Sequence, residues 1–565
     1  MLKQPGIYAL LFTLCLLISL APLKRLGGIA DLMLPTNKLL MVPGFWLPVD
    51  LHFTADARIS QWTTHVVLFL SLLGLAFVIY LACTRWLQRQ PAQGDFRQTR
   101  RLIYLVTIVS GLAFLLTPAM LSHDIFVYAG YGRILTIHHA NPYFTTLSMF
   151  PQDPFNRLDD WKNVLSAYGP LWTALCGLIA LLAGDDPART ILLYRGFALA
   201  SHLLNISLIA AILGTLGRSP RTITLGMLLY AWNPLVLEES SLGAHNDTFM
   251  MTLVLAGFFF SVRTVQNLGQ HRPSLLQSLP ALVAFTLAAL VKFTAAPVLF
   301  FFLLLLARQA YDANLAHVTR IAAGTRQYFA HLKAIALIVV PAGAVSGTLA
   351  LVLYLPYWSG FTLDMILYSF TSPPSSRSSY GSILYAIVAW NHDHGLPPQG
   401  TWMHFIVDIF GRHQTWNVIN LITFVSMLLI GALWIWRQPA VRTTALATLA
   451  LLGAVLIVTH WFFPWYLTWL IGLAAICLPT TYDRVGRALL AFALTFSASA
   501  LCSYLYANFR SPIGGWTGLS FLTTLAPPLI MLCLFLVLPL NYKKEIVVGT
   551  TPGTISDTPG TPGDR

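Results

Sequence analysis

Apolar runs long enough to cross a bilayer, about 20 residues each, recur along nearly all of this chain. They lie near 7–23, 63–83, 102–121, 190–215, 222–237, 247–262, 334–356, 416–436, 443–459, 464–480, 488–506 and 518–540. The stretch from Leu279 to Leu306 is too long for one span and is interrupted by Lys292, so it predicts two short helices in a hairpin. Charged residues are 10% of the 565, against roughly 25% in a soluble domain whose surface must be solvated. That scarcity excludes a string of soluble domains. The chain reads as an all-α polytopic membrane protein, a bundle of about 13–15 transmembrane helices with external juxtamembrane helices.

The few charges are biased in sign, to a formal +13 at pH 7. In a soluble protein that bias would point to nucleic acid. Here the positive-inside rule accounts for it, and no nucleic-acid partner is expected. Arg85, Arg89, Arg97, Arg100 and Arg101 stand against Asp95 alone, which puts their loop in the cytoplasm. The loop 122–167 then faces outward, with Asp124, Asp153, Asp159 and Asp160 against Arg133, Arg157 and Lys162. Arg218 and Arg221 are cytoplasmic again, which needs an odd number of crossings where two apolar runs intervene. The shorter run, Leu171 to Ala183, is therefore expected to sit at the membrane edge without crossing. Arg308 to Lys333, Arg437 with Arg442, Arg484 with Arg487, and Lys543 with Lys544 continue the pattern, so both termini are expected in the cytoplasm and 24–61 outside. Met1 to Leu23 has no A-x-A-like site before Lys24-Arg25 and reads as an uncleaved first span.

Residues 1–540 are expected to form one membrane domain whose external loop 122–167 and external segment 357–416 build the site. Residues 541–565, with Thr-Pro-Gly at 551–553, 558–560 and 561–563, read as a flexible cytoplasmic tail. The six cysteines form no CxxC or Cys/His cluster and read as buried thiols.

Residues able to carry chemistry gather in the outward-facing segments. Ser122-His123-Asp124 leaves the third span and opens an aromatic-rich stretch through Tyr128 and Arg133 to Asn141-Pro142-Tyr143. The stretch suits an amphipathic helix lying on the membrane surface. Asp124 there either complements the dipole of a helix capped by Ser122 or sets a working carboxylate at the bilayer edge. Tyr168-Gly169-Pro170-Leu171-Trp172 is a helix-start pattern. Glu238-Glu239 and Gly243-Ala244-His245-Asn246-Asp247 crowd ionisable groups into one turn, which is costly unless the turn is solvated or something polar sits there. Lys292, at the tip of its hairpin, either snorkels or offers its ammonium to a phosphate. Arg377, within Pro373 to Ser379, is either a solvated loop arginine or a forked clamp for a lipid phosphate. His392-Asp393-His394, with no strand to present it, makes a poor metal site. No cofactor is demanded, and a divalent metal stays open as an accessory. His460 to Trp469 has the composition of an aromatic interface belt.

Taken in order, these motifs resemble the bacterial polyprenyl-phosphate-mannose-dependent mannosyltransferases, within the GT-C glycosyltransferase superfamily. The resemblance is carried by Ser122-x-Asp124-x-x-x-Tyr128 with Asn141-Pro142-Tyr143, and by Tyr168 to Trp172. It continues through Asn233-Pro234-Leu235 with His245-Asn246-Asp247, Val291-Lys292, and Pro464-Trp465-Tyr466-x-x-Trp469. Family members commonly have glycine directly before the His-Asn-Asp triplet, where this chain has Ala244. The acidic pair common elsewhere in the superfamily is here His123-Asp124.

The resemblance implies a GT-C-like bundle and inverting transfer of a hexose, with mannose the family default, from a polyprenyl-phosphate-linked donor. The acceptor would be a cell-envelope glycan or glycolipid on the extracytoplasmic side, so membrane lipids, donor and acceptor are the expected partners. A sugar phosphate already carries a good leaving group, so the reaction needs a base for the acceptor hydroxyl and cations for the departing phosphate. Asp124 is the expected base. His245 and Asp247 are expected to orient hydroxyls, and Lys292 and Arg377 to meet the phosphate with Arg133 in reserve. His123, Tyr128, Asn141, Tyr168, Glu239, Asn246, Trp465 and Tyr466 complete the expected substrate-binding set. The alternative is a polyprenyl-lipid or glycolipid transporter or flippase, which predicts charge near the bilayer midplane and paired halves.

Overall fold

The computed structural model describes residues 4–26, 61–267, 274–318, 325–371, 379–477, 479, 483–504 and 517–537. α1 (Gln4–Leu26), α2 (Gln61–Gln88) and α3 (Arg97–Leu116) come first. The short α4 (Asp124–Thr136) and α5 (Pro170–Ala183) follow, then α6 (Pro187–Thr215), α7 (Pro220–Ala231) and α8 (Pro234–Glu238). A π-turn at Glu239–Gly243 leads into α9 (Asp247–Asn267), α10 (Leu275–Val291), α11 (Ala296–Val318) and α12 (Thr325–Trp358). α13 (Leu363–Thr371), α14 (Ile383–His394) and α15 (Trp402–Phe410) are short. α16 (His413–Arg437), α17 (Val441–Val458), α18 (Leu467–Cys477), α19 (Arg484–Ser499) and α20 (Thr517–Val537) complete the described chain. Among the described residues nine helices are long and apolar enough to cross a membrane, and four shorter apolar helices accompany them. This is the all-α polytopic class that the apolar runs predict. The tail 541–565 and most of 24–61 lie outside the described residues.

Three local departures from the expected pattern shape the site. The apolar run 222–237 is not one helix. α7 stops at Ala231, because the Asn233 side chain accepts the Val236 N–H at 3.2 Å and Pro234 takes the first helical position of α8. Twelve residues of α7 rise about 18 Å, less than the roughly 30 Å hydrocarbon core, and the chain turns there into the polar segment. The hairpin predicted around Lys292 is present, with helices of 17 and 23 residues that outrun the apolar stretch at both ends. Its break is the extended backbone of Lys292 itself, at φ −152° and ψ 125°.

The third departure is α4. The pattern predicts an amphipathic helix on the membrane surface, yet Ile125 to Ile134 are all buried. The segment 137–169 folds over α4 and is pinned there by a buried ion pair. Arg133 donates from Nε to Asp153 at 2.8 and 2.9 Å, and Nη2 meets Asp185 at 2.7 Å. α5 then runs back beside α4. The Gly169 N–H donates to Val291 O at 3.0 Å, next to Lys292, and the far end meets Arg133 through Gly184 O at 2.8 Å. Its 14 residues rise about 21 Å, less than the roughly 30 Å hydrocarbon core.

The basic loops meet at the other end of the bundle. Arg221 donates to Gln88 O and Gln90 O, Arg100 to Pro220 O, Arg308 to Trp436 O, and Arg442 to Cys477 O. The two ends therefore differ in kind, one basic and one carrying the mixed-charge turns.

Candidate active site

Four chain breaks deliver ionisable side chains to the same place: the start of α4, the π-turn, the start of α9 and the α10–α11 break. Asp124 opens α4, with its N–H on Ser122 Oγ at 3.3 Å and its side chain 19% exposed. Tyr128, one turn on, donates its hydroxyl to Asp124 Oδ2 at 3.3 Å. Asp124 Oδ2 also lies 3.4 Å from Nδ1 of His245, whose Nε2 lies 3.2 Å from Glu239 Oε2. Glu239 in turn accepts the Tyr504 hydroxyl on its other oxygen.

These contacts set the charges. Burial alone would raise the Asp124 carboxyl, but His245, Lys292 and the Tyr128 hydroxyl together hold it below the ordinary carboxylate value. Burial works against the His245 imidazolium, and Asp124 and Glu239 override it, pushing His245 up to about 9. His245 is thus a cation between two carboxylates at neutral pH. Asp159, buried beneath α4, is pushed up to about 7 by burial, with Asp160 and Asp124 adding to the rise.

Asp247 is fully buried and paired with Lys292, whose Nζ donates to its two oxygens at 2.8 and 3.1 Å. The Trp469 indole donates to Asp247 at 2.7 Å. Lys292 keeps 14% of its side chain exposed and lies over the rings of Tyr466, at 4.4 Å, and Trp469, at 5.3 Å. An ammonium has three N–H groups; two serve Asp247 and one is left for a ligand.

Aromatic rings enclose the cluster. His245 stacks on Trp465 at 3.7 Å, Trp465 on Phe463 at 4.4 Å, and Phe463 on Tyr380 at 4.4 Å. That column ties the segment 379–382, which also bridges to Trp461, into the site. Tyr128 makes edge contacts with Tyr168 at 5.3 Å and Trp172 at 5.1 Å. Asn246 is buried with neither its amide nitrogen nor its oxygen partnered, so its polar atoms are set for a ligand. Beside the cluster an apolar groove of about 470 Å³ runs between α11, α16 and α17, lined by Pro297, Phe300, Phe424, Leu428 and Val455 and reaching Trp469.

The expected set is brought together in large part: Asp124, Tyr128, Tyr168, Glu239, His245, Asn246, Asp247, Lys292, Trp465 and Tyr466 surround one site. Three residues are turned elsewhere. Arg133 is committed to Asp153 and Asp185, and Asn141 donates to Tyr357 O at 2.5 Å, clamping the end of α12. His123 faces Asp160 at 2.7 Å on the exposed surface. Arg377 lies outside the described residues. Among the described residues no group of three His, Cys, Asp or Glu side chains could hold a metal ion.

Several residues of the cluster escaped the sequence reading. Trp469 stands inside a quoted motif, and its indole role needed only the partner Asp247. Arg195 is an arginine two turns inside α6, within an apolar run, itself a signal. It is fully buried and donates to Leu115 O, Thr117 O, Ala119 O and Leu242 O, tying the approach to Asp124 to the turn before His245. Tyr504 carries no motif.

Residues 34–308 match the family described as alpha-(1->6)-mannopyranosyltransferase, N-terminal domain. Over that segment, a little under half of the chain, it is similar to this mannosyltransferase family. Asp124, Glu239, His245, Asp247 and Lys292 all fall inside it, whereas Trp465, Tyr466, Trp469 and Tyr504 come from beyond it. Alpha-(1->6)-mannopyranosyltransferase A of Corynebacterium glutamicum is 21% identical over 170 residues, 30% of this chain and 33% of that relative. The chain thus spans about a third of the length of the curated relative it matches. No solved structure matches the chain.

Proposed function

We propose that the chain is a membrane glycosyltransferase that moves a mannosyl group from a polyprenyl-phosphate-linked donor to a cell-envelope glycan or glycolipid, on the extracytoplasmic side and with inversion. The observation that carries this reading is the joining of Asp124, His245, Asp247 and Lys292 in one cluster beside an apolar groove. A lipid-linked sugar phosphate has the same two-part character, a charged head on a hydrocarbon tail.

Asp124 is the general base. It is ionised, partly exposed and held by Tyr128 and His245, so it can take the proton of an acceptor hydroxyl as that oxygen attacks the anomeric carbon. The phosphate leaves toward Lys292, whose third N–H meets the growing charge while Asp247 and Trp469 fix the ammonium. Arg377 is the second phosphate partner. Asn246 and the rings of Tyr466 and Tyr168 hold the sugar, Trp465, stacked between His245 and Phe463, steadies the imidazole beside it, and the groove from Trp469 to Phe424 takes the first isoprene units.

The test is transfer from a labelled polyprenyl-phosphate-mannose by purified protein. Asp124→Asn keeps the shape and removes the base, and should lower kcat by about 10²–10⁴. Full activity in that variant would remove Asp124 from the role. Lipid translocation by the wild type without transfer from any polyprenyl-phosphate sugar would replace the reading with a flippase.

A further inference from the structure

At the basic end of the bundle, away from Asp124, lies a cavity of about 340 Å³. It forms where the end of α6, the start of α7, the start of α17, the end of α18 and Asp483, before α19, meet. Arg218, Arg442 and Asp483 stand at it, Thr222 adds a hydroxyl, and Ile212 and Leu216 belong to its apolar wall. Arg442 donates from Nε to Cys477 O at 3.1 Å and from Nη2 to Asp483 at 3.2 Å. Both partners of that ion pair are well exposed, so it stabilises the fold little and leaves the other guanidinium N–H groups to a ligand. Arg218 is exposed and, among the described residues, has no carboxylate at ion-pair distance.

The positive-inside bias accounts for arginines in these loops, but it requires no cavity between them and no aliphatic wall behind them. Two guanidinium groups against one carboxylate leave the lining positive. An apolar wall within reach of that charge suits a molecule with an anionic head and a hydrocarbon body, and a guanidinium is well matched to phosphate oxygens.

We propose that this cavity binds the phosphodiester headgroup of an anionic phospholipid from the leaflet at that end of the bundle. The phosphate lies between Arg218 and Arg442, and the first acyl carbons run along Ile212 and Leu216. The site is independent of the chemistry proposed for the other end.

The test is lipid retention. Full-length protein is reconstituted in nanodiscs of equal phosphatidylglycerol and phosphatidylcholine, extracted in mild detergent, and its co-purified lipid counted by native mass spectrometry. Wild type should retain phosphatidylglycerol in preference. R218Q/R442Q should lose that preference by about thirtyfold, given two basic contacts removed. R97Q/R101Q removes the same charge from exposed positions on α3 and should keep the preference. Equal retention by wild type and R218Q/R442Q overturns the proposal, and so does equal loss in the two double variants. Should R218Q/R442Q not fold, R218Q alone changes an exposed side chain that has no ion pair among the described residues and must still lower retention. Excess inorganic phosphate should leave the lipid bound. If it strips the lipid and raises the melting temperature by itself, the site takes a free anion and the lipid assignment falls.

Discussion

His245 governs the charge state of the cluster. Its two nitrogens lie 3.4 and 3.2 Å from Asp124 and Glu239, and its ring is fixed flat on Trp465. A neutral isostere, His245→Gln, would leave the Asp124 carboxyl to burial, the largest influence on it and an upward one. The acid limb of the kcat/KM profile should then move to higher pH by about 1 unit or more, while the wild-type limb stays below the ordinary carboxylate range. An unmoved limb would mean that Asp124 is not tuned by His245. The same group gives a stability signature. Its folded value of about 9 exceeds the ordinary value of about 6.5, so its contribution is complete below about 6.5 and disappears as pH rises through 9. Wild-type melting temperature should fall across that window, and that of His245→Gln should fall less. At this scale the sequence shows which residue types are available but not how they are used. Arg133 and Asn141 stood in the same motif as Asp124. Their partners Asp153, Asp185 and Tyr357 lie 20, 52 and 216 residues away, and only the fold reveals them as staples. Ala244 is a smaller case. It sits at φ 54°, a left-handed conformation in which glycine is unstrained, so the departure from the family triplet is a backbone strain beside His245.

Among the elements, α4 places the base and α5 holds α4. A Cβ at Gly132 would lie 2.2 Å from Cys176 O on α5, so the two helices touch through backbone. Gly132→Ala must push them apart, at a cost of about 1–3 kcal/mol that outweighs the helix-propensity gain of about 1 kcal/mol. Both melting temperature and transfer rate should drop, because Asp124 rides on the displaced helix. Gly196→Ala in α6 meets nothing within 4 Å and should be neutral or slightly stabilising in the same assays. If the two variants behave alike, close α4–α5 packing does not hold the base. Element boundaries were legible where a charge marks them. Lys292 announced the α10–α11 break, whereas the run 222–237 was expected as one span although Asn233-Pro234 carries the cap and first-position proline that divide it. The burial of α4 was not legible, because its cover comes from a long polar loop whose own sequence has no helical period.

Across the whole molecule, charge separates the two ends. The end with Asp124 holds acids and bases locked in pairs, and the other holds arginines that donate largely to backbone carbonyls. The sign bias in the sequence was enough to predict that division, and the contacts of Arg221 with Gln88 and of Arg442 with Cys477 put the basic loops together. What the chain order hid is that the site is closed by residues from distant parts of the chain: the ring column reaches His245 from Tyr380, and Tyr504 reaches Glu239. The division also makes a sided prediction. Met149 lies in the fold over α4 and is exposed, and Gln93 is exposed in the loop between α2 and α3 at the basic end. In a Cys533→Ser background, which removes the exposed native thiol, Met149→Cys should react with an impermeant maleimide in intact cells. Gln93→Cys should react only after the membrane is opened. Labelling of both from outside would break the positive-inside assignment, and with it the extracytoplasmic location of Asp124, since α3 alone separates Gln93 from the segment leading to that carboxylate.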